Sequence, residues 1–119
     1  MKTIITLLLA ALFVLSCGTS SAERKPSRPR NFIPDTEIQE FTTARTARDI
    51  VELARPAWLR QSRGMTLQIY INGILMGAED QLDNVSTQVV KEMRFFSPTE
   101  ATTLYGTNNM GGVIEITTR

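Results

Sequence analysis

Thr66-Leu67-Gln68-Ile69-Tyr70-Ile71-Asn72-Gly73-Ile74-Leu75-Met76-Gly77 is the stretch whose reading decides the fold. Leu67, Ile69 and Ile71 alternate with Thr66, Gln68 and Tyr70, the period of a half-buried strand. Asn72-Gly73 follows at once. A type I′ turn demands positive φ at both central residues, and this dipeptide tolerates that best. Ile74-Leu75-Met76 then supplies the returning strand, and Gly77 ends it.

Downstream, Ala78 to about Asn84 reads as a short helix or turn carrying Leu82 inward. Val89 to Phe96 predicts a third strand. Val89, Lys91, Met93 and Phe95 would share one face and Val90, Glu92, Arg94 and Phe96 the other, with either face able to be the buried one. Ser97-Pro98-Thr99-Glu100 is a capping box with proline at the first helical position, so a short helix is expected through about Tyr105, ended by Gly106. Gly111-Gly112 then leads into a last strand, Val113 to Thr118.

Upstream, Thr42 or Thr43 can cap a helix running to about Ala54, because Ala44, Ala47, Ile50, Val51 and Ala54 fall on one helical face. Arg55-Pro56 stops it, since a residue before proline is pushed out of the helical region. Pro56-Ala57-Trp58-Leu59 is a short turn or helical start that seats Trp58 as a core anchor. Together these elements give an α+β domain with a small mixed sheet of about four strands and two or three short helices.

The N-terminal part is different in kind. Lys2 precedes an apolar run from Ile4 to Leu15, too short to span a bilayer, for which about 20 apolar residues are needed, but suited to a secretory signal. Val14-Leu15-Ser16-Cys17 resembles the bacterial lipobox, which implies a lipidated Cys17 as the mature N-terminus. The alternative is an ordinary signal peptide cut near Ala22; either way the chain is exported. Gly18 in place of Asp after the cysteine implies sorting to the outer membrane. From residue 18 to about 34 the chain is rich in Gly, Ser, Thr, Pro and Arg and reads as a flexible basic linker. The expected organisation is therefore a signal peptide over 1–16, the lipidated cysteine and linker over 17–34, and the folded domain over 35–119.

Charge narrows the function classes. Without Lys2, 12 basic residues face 12 acidic ones, and a neutral mature chain argues against nucleic acid as a partner. The sequence contains no histidine and one cysteine. That removes the commonest general base and metal ligand, and leaves no disulfide framework. Glu79, Asp80 and Asp83 lack the spacing of a calcium loop. No catalytic residue, metal or cofactor is expected.

Three segments in this order resemble the plug domain of TonB-dependent outer-membrane receptors. They are Ile69-Tyr70-Ile71-Asn72-Gly73, the Glu-bearing strand Val89 to Phe95, and the ending from Tyr105 through Gly111-Gly112 to Arg119. The likeness covers residues 66–119. It departs at Ser97-Pro98, where plugs commonly have Gly-Pro, at residues 42–64, and in having only Asp35-Thr36-Glu37-Ile38 where an energy-coupling box would stand. Transport is therefore not carried over.

The resemblance implies a plug-like, non-catalytic binding lipoprotein at the periplasmic face of the outer membrane, associated with a TonB-dependent uptake system. Its partners would be the membrane, through the lipid anchor, and an outer-membrane β-barrel protein; any small ligand is unspecified. Asn72, Gly73, Gly77, Thr107, Asn108, Asn109 and Met110 form the expected contact region. The alternative is a structural envelope lipoprotein that packs on an outer-membrane partner through a sheet edge or the Phe95-Phe96 surface.

Overall fold

Both residues of the Asn72-Gly73 turn adopt positive φ, 50° and 82°, and the hairpin they close is the outer part of a larger sheet. A computed structural model describes residues 27–61 and 64–119; the signal segment and Cys17 lie outside that range. The described elements are β1 (Phe32–Ile33), α1 (Asp35–Glu40), α2 (Ala47–Ala54), α3 (Ala57–Arg60), β2 (Gln68–Ile71), β3 (Ile74–Ala78), β4 (Val90–Phe96), α4 (Pro98–Tyr105) and β5 (Val113–Thr118). Short 3-10 turns occupy Glu79–Asn84, Thr87–Val89 and Thr107–Asn109. The fold is α+β, with five strands rather than about four.

The strands lie in the order β1-β4-β5-β2-β3. Only β2 and β5 run parallel; the other neighbours are antiparallel. One face of the sheet carries the main core. Ile69, Met93, Phe95, Ile114 and Ile116 pack there against Ile38, Ile50, Val51, Trp58 and Leu82 from the helices and turns. The other face is covered in part by α4, where Tyr70, Val113 and Ala101 meet Phe96 and Tyr105.

A bulge settles which side of β4 is buried. Val90 pairs with Thr118 and Glu92 with Thr117, so Lys91 is the extra residue. An added residue shifts the alternation by one, which brings Val90 onto the same buried side as Met93 and Phe95. Neither unbroken alternation describes the strand. The Phe95-Phe96 surface is also not available for docking: Phe95 is buried with its ring stacked 5.6 Å from Trp58, and half-buried Phe96 meets Tyr105 edge-on at 5.8 Å.

Helix α2 starts later than the Thr42 or Thr43 cap. Thr46 is its N-cap, and Asp49 reaches back to complete a capping box. Thr46 also bridges to Ser86, so residues ahead of it are held as turn by the fold rather than by helix propensity. The Asp49 carboxylate accepts the Arg45 and Thr46 amides at 2.9 and 3.1 Å, and these bonds hold its pKa below the usual carboxylate value. A depressed acid contributes stability that is present above its unfolded pKa, about 4, and is lost as pH falls through the folded value. Asp49→Asn keeps the shape and removes the titration. Denaturant melts from pH 5 down to pH 2 should therefore show a shallower acid loss in the variant than in the wild type.

The end of the proposed linker belongs to the folded unit. Ile33 is fully buried, and Phe32 and Ile33 pair with Arg94 and Met93. Arg55 donates to the carbonyls of Pro29 and Phe32, and the Trp58 indole N–H donates to the Arg30 carbonyl at 2.9 Å. Arg55 also forks onto both oxygens of Glu37 at 2.7 and 3.0 Å, while Arg28 reaches Glu37 and Glu40. Main-chain carbonyls of a proline-broken stretch thus find their donors on distant side chains, which composition alone does not reveal.

Candidate functional site

The seven residues expected to form one contact region do not come together. Asn72 and Gly73 sit at the far end of β2, whereas Gly77 and the Thr107 to Met110 loop flank its beginning, where the Gln68 amide bonds the Gly112 carbonyl. Four residues of strand separate the two groups, roughly 13 Å.

Two of the seven are spent on the fold. The Asn72 side chain donates to Thr118 Oγ1 at 2.8 Å and accepts the Thr118 amide at 3.1 Å, clamping the hairpin tip to the end of β5. Asn109 is 2% exposed. It donates to the Gly106 carbonyl and accepts the Tyr70 hydroxyl, so its amide is a buried connector rather than a recognition group. Asparagine in a glycine-flanked loop reads the same in sequence whichever way its side chain turns.

Thr107, Asn108 and Met110 are exposed, and they line an open groove with Gly64, Met65, Thr66, Gln68, Leu75 and Gly111. A second, larger groove of about 950 Å³ lies on the other side of Met65 and Met110, between Arg60-Gln61 and the α4 residues Pro98, Thr99, Thr102 and Thr103. Two of the three α4 hydroxyls there are occupied: Thr102 donates to the Pro98 carbonyl and Thr103 to the Thr99 carbonyl. What both grooves share is the pair of methionines, soft and adaptable side chains suited to apolar contact.

Gly77 is a constituent of β3, with φ 143°, opposite Ile69. Beside it stand the residues that sequence reasoning passed over. Ile74 is 67% exposed, Leu75 52% and Met76 48%, and Leu75 continues directly into the groove of Met65 and Met110. Three of the large exposed apolar side chains, Leu75, Met65 and Met110, therefore meet in one groove between β3 and the loops that precede β2 and β5, while Ile74 and Met76 are exposed on the same strand. Their signal was present in the sequence, because Ile74-Leu75-Met76 contains no polar member, unlike the alternating strand before it.

Polar clusters elsewhere have structural partners. Arg48 bonds Asp83 at 2.7 Å and Glu79 at 3.1 Å, tying α2 to the turn after β3, and the Asp83 bond is the main cause of its raised pKa. Tyr105 donates to Glu115 beneath α4; burial first, then that carboxylate, push its phenol above the usual range and keep it protonated. Among the described residues no group of three or more His, Cys, Asp or Glu side chains could hold a metal ion, and no helix is long and apolar enough to cross a membrane. Compared with known proteins, the chain matches no family model, no curated protein and no solved structure.

Proposed function

We propose that this chain is a non-catalytic, lipid-anchored binding module at the periplasmic face of the outer membrane, with a plug-like domain that serves a TonB-dependent uptake system. The observation that carries binding is the groove at the β3 edge lined by Leu75, Met65 and Met110, beside the exposed Ile74 and Met76 of the same strand. A contiguous apolar patch on a small domain marks an interaction surface. The lipobox-like Val14-Leu15-Ser16-Cys17 supports the address. A multiply acylated cysteine holds a protein stably, each buried methylene contributing about 0.8 kcal/mol.

Affinity purification from solubilised outer membranes tests this reading. The wild-type chain is expected to bring down an envelope protein, and Met110→Lys is expected to lose most of it while folding normally. Purification of the wild-type chain alone, with no bound protein or small ligand, would overturn the binding role. Cys17→Ser tests the address separately. The variant should be found free of the membrane, and normal processing with full membrane retention would remove the lipid anchor from the account.

The unpaired edge of β3 favours a second reading, a structural lipoprotein packed on an outer-membrane protein. Stoichiometry separates the two. A structural adaptor should purify in a fixed ratio with its partner under all growth conditions, whereas an uptake component should follow the availability of the nutrient.

A further inference from the structure

The two edges of the sheet are treated differently. β1 is two residues long and is followed after one residue by α1, which packs against β4. A short, covered edge offers little to another chain. β3 is five residues long, carries no charge and no proline, and has no neighbouring strand on its outer side among the described residues; Met76 is an extra residue opposite Ile69 and Tyr70, so the regular part of this edge is centred on Leu75. The two-residue turn makes Ile71 and Ile74 a closing hydrogen-bonded pair, so the amide and carbonyl of Leu75 point away from β2.

We infer that the β3 edge accepts an extended segment of a partner protein as a sixth strand, running antiparallel to β3 and led by basic residues. This rests on the binding role proposed above and names its mode. Three observations converge on it. Outward main-chain groups require a partner with a complementary main chain, which an extended peptide offers and a helix or a lipid tail does not. Leu75 faces the groove of Met65 and Met110, so alternate apolar side chains of the incoming strand have a place to lie. At the far end of β3, Asp80 is exposed and has no ion-pair partner among the described residues, while Glu79 and Asp83 share Arg48, so the end remains net acidic. In antiparallel pairing the start of the added strand lies over this acidic end, and positive charge there is complementary.

A second copy fits less well. Antiparallel pairing of β3 with its own equivalent sets the acidic end of each copy beside the uncharged Asn72-Gly73 turn of the other, where no positive charge complements it.

The test uses the processed full-length chain in mild detergent and three synthetic peptides. The first is Lys-Lys-Val-Thr-Val-Thr-Val-Thr; the second begins Glu-Glu; the third is the first with its pairing-edge amides N-methylated. At saturation the lysine peptide should slow amide exchange of Leu75 by about ten-fold or more, with Ile114 in the sheet centre unchanged. The glutamate peptide should bind about five-fold more weakly at low salt, the gap closing at high salt. The N-methylated peptide should give no protection.

Equal binding of the N-methylated peptide would show apolar adhesion without strand pairing and overturn the inference. So would equal binding of the glutamate peptide at low salt, for the basic lead, or protection lying away from β3. Leu75 protection that grows with protein concentration in the absence of peptide would identify a second copy as the occupant instead. If these results appear while the envelope partner still co-purifies, strand addition fails and the binding role stands.

Discussion

Gly111→Ala is expected to destabilise the domain by about 3 kcal/mol or more, a large part of the 5–15 kcal/mol that holds a typical domain together. A Cβ at this position would stand 2.2 Å from the Thr66 carbonyl oxygen and 2.6 Å from its carbon. Both obstacles are main chain, so no side chain can rotate away. Relief requires the approach of residues 110–111 to residues 65–66 to widen, just before β2 and β5 begin their parallel pairing at Gln68 and Val113. The effect is one of space rather than of backbone angle, because Gly111 does not occupy the left-handed region. Gly73→Ala is the contrasting control: nothing lies within 4 Å of its Cβ, and its cost should be about 1 kcal/mol from the φ of +82° alone. Thermal melts followed by far-ultraviolet circular dichroism would separate them. Gly111→Ala should fall by at least about 12 °C and Gly73→Ala by about 4–8 °C. Equal small shifts would show that the two strands part easily at this point.

Trp58→Ala should cost about 3–5 kcal/mol. Trp58 is 2% exposed, stacks on Phe95 and holds the Arg30 carbonyl through its indole N–H. Its loss opens a cavity between α3 and β4 and frees the segment that leads into β1. Trp58→Phe retains most of the packing and loses the hydrogen bond, so a cost nearer 1–2 kcal/mol is expected. Urea unfolding read by circular dichroism suits both variants, because Trp58 is the only tryptophan and fluorescence disappears with it. A distinctive result would be protease cleavage: residues 28–33 should become susceptible in Trp58→Ala before the rest of the domain unfolds.

Local chemistry made several elements legible. The Asn72-Gly73 turn has the positive φ values that its residues favour, and Ser97 and Glu100 form the reciprocal cap read from their spacing. Leu82 and Trp58 are buried as expected. In the turn and the cap the interactions that decide the conformation lie within a few residues of one another. Where they do not, the sequence was silent or misleading. β1 is two residues in a proline- and arginine-rich stretch, and its strand character comes from β4, Arg55 and Trp58, each more than 20 residues away. The side of β4 that faces the core depends on one bulged lysine opposite the end of β5.

The candidate site was harder to read for a related reason. Polar loop residues suggest recognition, yet the side chains of Asn72 and Asn109 are bonded within the domain, to Thr118 and to Gly106 and Tyr70. The exposed surface is instead the apolar return of the hairpin. A run such as Ile74-Leu75-Met76 looks like core until the sheet order places it at an edge.

The position of β5 has a consequence for when the domain can form. β1 with β4 is one antiparallel pair and β2 with β3 another, and among the described strands only β5, which follows the other four in sequence, touches both pairs. Before residues 113–118 are available, the two pairs have no strand that joins them into one sheet. Long-range pairings of this kind also form slowly, since distant segments must meet before any contact rewards them. Such an arrangement makes completion of the sheet wait on its central strand.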